Sequence, residues 1–359
     1  MKAAVFHAAN EPLTIENLEI ADPEGHEVLV RTVASGVCHS DLHFVDGFYP
    51  MRTPAVLGHE AAGVVEAVGP LVTEFATGDH VIACLSTFCG KCERCFSGET
   101  HLCTSKPQRT PDQAPVLTWN GDPVQQGFRV ASYAEQMLIH ENGLVKIGKE
   151  MPLDRAALIG CGVTTGVGAV LKTAKVEPGA TVAVFGCGGV GLAAIQGARI
   201  AGAGKIIAVD MMEHKLATAR ELGATHSVDA SSGDPVAKIR EITGGGVDYA
   251  FEAIGLKVVA EQAFEAIRPG GTATIIGMIP VGQKIELPGA AFLGEKKIQG
   301  SNMGSNHFKV DMPKYIEFYE RGLLQLDQMI TARARLEDVN DRLRAMKEGE
   351  VARSVLMFD

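Results

Sequence analysis

No stretch of this sequence approaches the roughly 18 to 20 uncharged apolar residues of a membrane-spanning helix, so no spanning segment is expected. The opening residues, MKAAVFHAANEPLTIENLEI, carry early charges and no apolar core, which argues against a secretory leader and for a cytoplasmic protein. Basic runs are absent too. With 33 Lys and Arg against 43 Asp and Glu, the net charge is −10, so phosphate backbones and anionic lipid surfaces are repelled. Neither nucleic acid nor membrane is an expected partner. Internal repeats and low-complexity tracts are also missing. In a cytoplasmic chain the eight cysteines are better explained as metal ligands or thiols than as a disulfide framework.

What is present is an ordinary globular composition, 46% hydrophobic and 21% charged, in a chain of 359 residues. At roughly 100 to 200 residues per domain, two domains are expected. The first 150 or so residues alternate short β-branched runs with Gly and Pro breaks, as in EVLVRTVASGV, AAGVVEAVG and DHVIACL, a β-rich texture. From about residue 156, strand and helix signals alternate: TVAVF, LAAIQGARIAGA, KIIAVD, KLATARELGA and onward to TATIIG. Near-continuous apolar strands followed by helical periodicity indicate βαβ units and a doubly wound parallel sheet. After about residue 301 come helical patterns, MPKYIEFYERG and LEDVNDRLRAMKEG, and a closing strand, RSVLMFD, which can return to the first domain. The segment from Thr104 to Val130 is the one long stretch of turn formers and polar residues, read as a functional loop or an oligomer contact.

Gly186, Gly188 and Gly191 stand in G-x-G-x-x-G spacing between an apolar strand and an Ala-rich helix. The first permits a tight turn, the second lets the backbone approach a pyrophosphate, and the third lets helix pack closely on strand. Gly189 and Val190 complete the first helical turn, whose free N–H groups and dipole favour an anion. Asp210 ends the next strand about 20 residues on, where a carboxylate binds ribose hydroxyls and repels a 2′-phosphate, so NAD is expected over NADP. Lys215 is a second candidate ribose contact. Ile254 and the Ile276–Met278 segment fall at later strand ends, where Ile254, Ile276 and Met278 could flank the nicotinamide or serve as ordinary core.

Cys89, Cys92, Cys95 and Cys103 form a C-x2-C-x2-C-x7-C array in a polar loop. Four thiolates close in sequence can wrap one tetrahedral ion, leaving no position for substrate, as in structural zinc. An iron–sulfur cluster is the competitor.

Cys38, His59 and Cys161 are individually ambiguous, since a buried Cys is usually a small hydrophobe. In company they are not. GVCHSD, GHEAAGVVEAVG, the four-cysteine loop, GCGVTTG and FGCGGVGLAAIQGARIAGA, in this order and separation, resemble the zinc-containing medium-chain alcohol dehydrogenases along essentially the whole chain. The resemblance implies an α/β protein: a β-rich GroES-like catalytic domain (1–155, with 302–359 returning to it) and a Rossmann NAD-binding domain (156–301), with the active site in the cleft between. It implies two Zn²⁺ per chain, a catalytic one on Cys38, His59 and Cys161 and a structural one on the four-cysteine loop, which also favours zinc over iron–sulfur there. By the same resemblance Ser40 takes the proton of the alcohol, His43 passes it to water, Asp41 orients the ligand imidazole and Glu60 can approach the metal during ligand exchange. Thr165 and Arg353 match further cofactor contacts. His39 stands where many relatives carry Arg beside the pyrophosphate, and its weaker charge implies faster cofactor release.

The expected activity is reversible hydride transfer between a primary aliphatic or aromatic alcohol and NAD, giving an aldehyde. A branch of the family oxidises the glutathione adduct of formaldehyde, but there the relay position is commonly Tyr with acidic residues nearby. Here His43 and the loop VDGFYPMRTPAV depart from that pattern. Phe48, Tyr49, Leu85, Phe88 and Trp119 could line an apolar pocket. A nicotinoprotein that keeps its NAD, a zinc- and NAD-binding protein without catalysis, and a zinc hydrolase are the competing readings, the last leaving the glycine fingerprint unexplained. Relatives assemble through edge strands of the Rossmann sheet, so a homodimer is expected, with a tetramer as the alternative.

Overall fold

The computed structural model describes all 359 residues, which divide into two compact units. The first comprises Met1–Cys161, His307–Glu317 and Ile330–Asp359; the second comprises Gly162–Asn306 and Phe318–Met329.

In the first unit the long strand Glu27–Gly36 organises one sheet. Its side chains alternate half-buried and buried, the period of two that EVLVRTVASG carries in its sequence. Strands Ala61–Val68 and Ser354–Met357 flank it antiparallel, Gln136–His140 also pairs with it, and His80–Ala83, Leu144–Ile147 and Ala332–Ala334 extend the sheet. Pairing of Ser354–Met357 with Ala34–Gly36 sets Arg353 beside Val37, next to the start of the Cys38 segment. A second sheet runs in the order Thr14–Asn17, Lys2–Phe6, Ala55–Val56, Asp122–Gln126, Leu117–Trp119, Glu19–Ile20. Its apolar face packs with Leu42, Leu57, Tyr133 and the helix Val339–Lys347 in one core.

The Thr104–Val130 segment is not one long loop. Leu117–Trp119 and Asp122–Gln126 form a hairpin inside it, closed by Asn120 and Gly121 at φ +52° and +87°. Two left-handed residues are what a tight two-residue turn demands, and Asn-Gly is its strongest sequence signal. The preceding part is clipped by Arg109, whose guanidinium forks onto Glu27 at 2.9 and 2.6 Å and also donates to the carbonyls of Ala114 and Asp22.

Asp154, on the short helix Leu153–Leu158, takes hydrogen bonds from Arg155 (2.9 Å) and from Arg333 on Ala332–Ala334 (2.7 Å). Burial alone would push this carboxyl up, but the two guanidiniums outweigh it and hold it below its usual value. A depressed carboxyl contributes stability that is fully present above its unfolded pKa, near 3.9, and is lost as pH falls through the folded value. Asp154→Asn is therefore expected to cost about 1 to 2 kcal/mol near neutral pH, discounted for the partly exposed arginines. Denaturant titrations should show the gap between wild type and variant beginning to narrow at about pH 3.9 and closing as pH falls through the folded value. A gap that stays constant from pH 7 to 3 would show that the ion pairs are not its source.

The second unit is a parallel six-stranded sheet in the order His226–Asp229, Lys205–Asp210, Thr181–Phe185, Val247–Glu252, Ile267–Ile275, Lys297–Gly300. Strand order reverses between Thr181–Phe185 and Val247–Glu252, which opens a crevice at their carboxyl ends. Helices Gly189–Ile200, Glu213–Glu221, Pro235–Thr243 and Lys257–Ala266 connect the strands. One helical run, Leu153–Ala174, has the length and apolarity of a membrane span, but 83% of its apolar window is buried inside the protein, as in a core helix.

Candidate active site and metal centres

Cys38, His59 and Cys161 converge. Their ligand atoms lie within 4.8 Å of one another, and all three residues are buried. Each arrives by a different local device. Cys38 caps the short helix His39–Val45. His59 follows Gly58, whose φ of +88° only glycine adopts without strain and whose Cβ position is closed off by Ser132 and Tyr133 at 2.6 Å. Cys161 lies in a π-helical turn, Ile159–Val163, a widening of the helix often found at functional sites.

The imidazole of His59 is anchored on one side only. Its Nδ1 meets Asp41 Oδ1 at 3.2 Å, while its Nε2 is buried without a hydrogen-bond partner. Asp41 is itself held by the Gly58 N–H (2.9 Å) and by the Tyr133 hydroxyl (3.0 Å), so its carboxylate is fully buried yet satisfied. Buried polar atoms are rarely left orphaned. Nε2 aimed between two thiols, with Nδ1 fixed by a carboxylate, is the arrangement of a metal-ligating histidine. Charge balance agrees. A hydrogen bond from Cys161, opposed by burial and reinforced by the charge of His59, holds the Cys38 thiol well below its usual value. The Cys161 thiol is held up by that same hydrogen bond and by burial. Two sulfurs sharing a proton beside an orphan imidazole fit a divalent cation with N/S ligands.

Glu60, also buried, pairs with the Arg353 guanidinium, which additionally donates to the Val37 carbonyl at 3.4 Å. Burial raises the Glu60 carboxyl although Arg353 opposes it. Ser40 Oγ lies 3.7 Å from Cys38 Sγ, and His43, one turn later on the same helix, is half-buried with its ring against Phe48 and Tyr49. Burial pushes His43 below its usual value, against the charges of Cys38 and Asp46, so it is neutral at pH 7. His39 opens that helix. Of the proposed pocket residues, Phe88 packs edge-on to Phe308 and Trp119 packs against His7, while Leu85 packs beside a core cluster.

Two neighbours of the ligand set carry no sequence motif. Tyr133 is fully buried, and its hydroxyl needed a partner, which Asp41 supplies. The Phe128 ring centroid lies 4.3 Å from that of His59. Phe128, Arg129 and Ala131 all take positive φ, +54°, +63° and +56°, at about 1 to 2 kcal/mol each.

The four-cysteine loop closes on itself. Sulfur–sulfur distances are 3.5 Å (Cys92–Cys95), 3.8 Å (Cys92–Cys103) and 3.9 Å (Cys89–Cys95). The edge of a tetrahedron with metal–sulfur bonds of about 2.3 Å is about 3.8 Å. Four sulfurs so close suit a single ion, whereas a cluster spreads its thiolates over several irons. Backbone N–H groups of Cys95 and Thr104 pull the Cys92 thiol down to about 5, and burial lifts Cys95 to about 12. No disulfide forms among the eight cysteines. Cys103→Ser is expected to lower metal content by one equivalent per chain and the melting temperature by at least about 5 °C, because ion binding here is folding free energy. Unchanged metal content on elemental analysis would contradict the assignment.

In the second unit, Gly186 bends the chain after Thr181–Phe185 with φ +94°, and Gly188 caps the helix that begins at Gly189, Val190 and Gly191. Asp210 ends its strand and braces the turn, accepting from the N–H groups of Cys187 (2.8 Å) and Met212 (3.0 Å). Lys215 lies on the following helix, close enough for its charge to act on Cys187. Buried Glu252 holds the Ile254 and Gly255 N–H groups at 2.9 and 2.6 Å, and its carbonyl takes the Ile276 and Gly277 N–H groups, so one residue ties together the loops bearing Ile254, Ile276 and Met278. Thr165 contacts Met303 Sδ at 3.3 Å.

Comparison with known proteins gives the family. Residues 24–149 match the alcohol dehydrogenase GroES-like domain, and residues 189–321 match the zinc-binding dehydrogenase family. A class-3 alcohol dehydrogenase of Caenorhabditis elegans is 38% identical, the alignment covering 100% of this chain and 97% of the relative. Among solved structures, an alcohol dehydrogenase zinc-binding domain protein from Burkholderia ambifaria superposes with a TM-score of 0.94 at 40% identity, over 100% of this chain and 98% of the other. Benzyl alcohol dehydrogenase from Acinetobacter calcoaceticus superposes with a TM-score of 0.94 at 34% identity, over 100% and 99%. The two family matches, the 38% identity over the whole chain and the superposition on these structures place the chain in the zinc-containing medium-chain alcohol dehydrogenase family.

Proposed function

We propose that this protein is an NAD-dependent alcohol dehydrogenase that interconverts a primary alcohol and its aldehyde, with two zinc ions per chain. The observation that carries this reading is the buried, unpartnered Nε2 of His59 facing Cys38 and Cys161, a three-ligand set that leaves a tetrahedral ion one position for substrate. Zinc held there would supply a Lewis acid that makes an alcohol more acidic.

The chain's own residues do the rest. Asp41 fixes the tautomer and direction of His59. Ser40, on the first turn after Cys38, receives the alcohol's proton, and His43, kept neutral by burial, delivers it to water. Arg353 balances Glu60, which otherwise would stand as a bare buried charge, and the pair can exchange partners when ligands change. At the sheet crevice, the amides of Gly188, Gly189, Val190 and Gly191 would hold the diphosphate, Asp210 and Lys215 would hold the adenosine ribose, and Ile254, Ile276 and Met278 would flank the nicotinamide, whose chemistry is hydride transfer. Thr165, His39 and Arg353 complete the cofactor contacts. Asp210 supports NAD because a carboxylate repels a 2′-phosphate. The similarity to benzyl alcohol dehydrogenase, with Phe48 and Tyr49 gathered round His43, favours aromatic alcohols. The domain division proposed is a catalytic domain of residues 1–155 with 302–359, and a cofactor domain of 156–301. Lys297–Gly300 is a free sheet edge, with Leu293 91% exposed before it, which favours a homodimer in a cytoplasmic setting.

Elemental analysis together with NADH absorbance across aliphatic and aryl alcohols tests the reading. Two zincs per chain and NAD-linked turnover are expected. One zinc or none, or reduction of NADP alone, would overturn it.

A further inference from the structure

A cavity of about 1070 Å³ lies in the catalytic unit under the 107–116 segment, and none of Cys38, His59 and Cys161 lines it. Its wall carries Arg52, Arg109 and Arg129. Two carboxylates, Glu24 and Glu27, share that wall, and both are committed to Arg109: Glu27 by the fork described above, Glu24 at 4.0 Å while also accepting from Gln113. His26 is matched by Glu141. Arg52 and Arg129 have no carboxylate within ion-pair distance, in a chain whose net charge is −10.

Arg129 is the more telling of the two. Its Nε is buried and makes no hydrogen bond, a donor whose desolvation is uncompensated by the chain itself. It also sits at φ +63°, directly after left-handed Phe128 and two residues before left-handed Ala131. Strain of this kind persists where the surroundings over-determine it, and it clusters at ligand sites. Nearby, burial and the Arg129 charge together push the Lys106 ammonium below its usual value, against the opposing charges of Cys84 and Cys103. The cavity and the ligand histidine share one wall: Phe128 lines the cavity, and its ring lies 4.3 Å from that of His59.

We propose that Arg52 and Arg129 form a subsite for a carboxylate or phosphate carried by the alcohol, so that the substrate class is anionic primary alcohols. This inference rests on the dehydrogenase reading above. A planar guanidinium fork with an idle Nε suits bidentate capture of such a group. The alcohol end then lies toward Phe128 and His59, and the charged end under the 107–116 segment.

Benzyl alcohol and its para-carboxylate form a matched neutral and anionic pair. For the zinc-loaded enzyme with NAD, kcat/KM is expected to favour the carboxylate at least tenfold at low salt, and the preference should shrink as ionic strength rises. Arg129→Gln and, separately, Arg52→Gln should lower the ratio of the two kcat/KM values at least tenfold. Arg52 lies on an exposed segment, so its variant keeps the test valid if Arg129→Gln misfolds. Calorimetric titration supplies a readout without turnover: the para-carboxylate should bind wild type and lose affinity in both variants. Equal kcat/KM for the pair, or variants that depress both alcohols alike, would overturn the proposal. Binding of inorganic phosphate without any carboxylate preference would overturn it as a substrate site, assigning the arginines to a free anion. If neither alcohol yields NADH while the carboxylate still binds through Arg52 and Arg129, the anion site stands and the dehydrogenase reading falls.

Discussion

His59→Ala is expected to cut alcohol-dependent NADH formation by at least about four orders of magnitude and to remove one of the two zincs. Three protein ligands are the minimum for a catalytic zinc, and alanine leaves two thiols whose protons are already shared. The loss of Lewis-acid activation is worth several kcal/mol, at about 1.4 kcal/mol for each factor of ten. The side chain is fully buried, so the variant also uncovers Asp41 on one side, although the Gly58 N–H and Tyr133 hydroxyl still hold that carboxylate. Tyr133→Phe or Asp41→Asn should be milder, about 10- to 100-fold in metal affinity, because they disturb the orientation of the imidazole and not its presence. Elemental analysis and initial rates measure all three variants. Should His59→Ala keep both zincs, or more than a tenth of wild-type turnover, the ligand assignment is wrong.

The second large effect separates two glycines of one motif. A Cβ at Gly191 would lie 1.8 Å from the Gly186 carbonyl oxygen and 2.9 Å from its carbon. Both obstacles are backbone, so Gly191→Ala must open the turn, costing about 3 kcal/mol or more, and NADH affinity should fall about a hundredfold as the helix N-terminus moves off its position. At Gly188, nothing stands within 4 Å of a Cβ, and φ is −78°, which any residue adopts. Gly188→Ala should therefore leave the melting temperature unchanged while weakening NADH at least tenfold, since only an approaching diphosphate would meet the methyl group. Thermal melts and NADH fluorescence titrations on the pair decide it. Normal NADH binding by Gly188→Ala would mean that the diphosphate lies elsewhere.

Features carried by local periodicity and spacing were legible beforehand. The inward alternation of EVLVRTVASG, the parallel sheet from TVAVF onward, the terminal position of Asp210 and the helix opening at Gly189 appear where the pattern puts them. So does the four-cysteine loop, whose sulfurs lie within 15 positions of chain and converge by local turns alone. The Asn120-Gly121 turn was equally local, and reading the whole of 104–130 as loop overlooked a standard hairpin signal inside a polar stretch.

Other features had no local signal. Arg353 meets Glu60 across 293 residues of chain, brought there because Ser354–Met357 pairs with the Glu27–Gly36 strand, and Tyr133 meets Asp41 across 92. The orphan nitrogen of His59, the Glu252 brace and the two arginines without counter-ions exist only once distant segments are packed and their alternatives to water removed. Composition and motif thus singled out the candidates for metal, cofactor and proton chemistry, because spacing along the chain constrains bonds that neighbouring residues can make. The tertiary structure alone decided which of them are charged, paired or left open, because those properties depend on burial and on partners that the order of residues does not name.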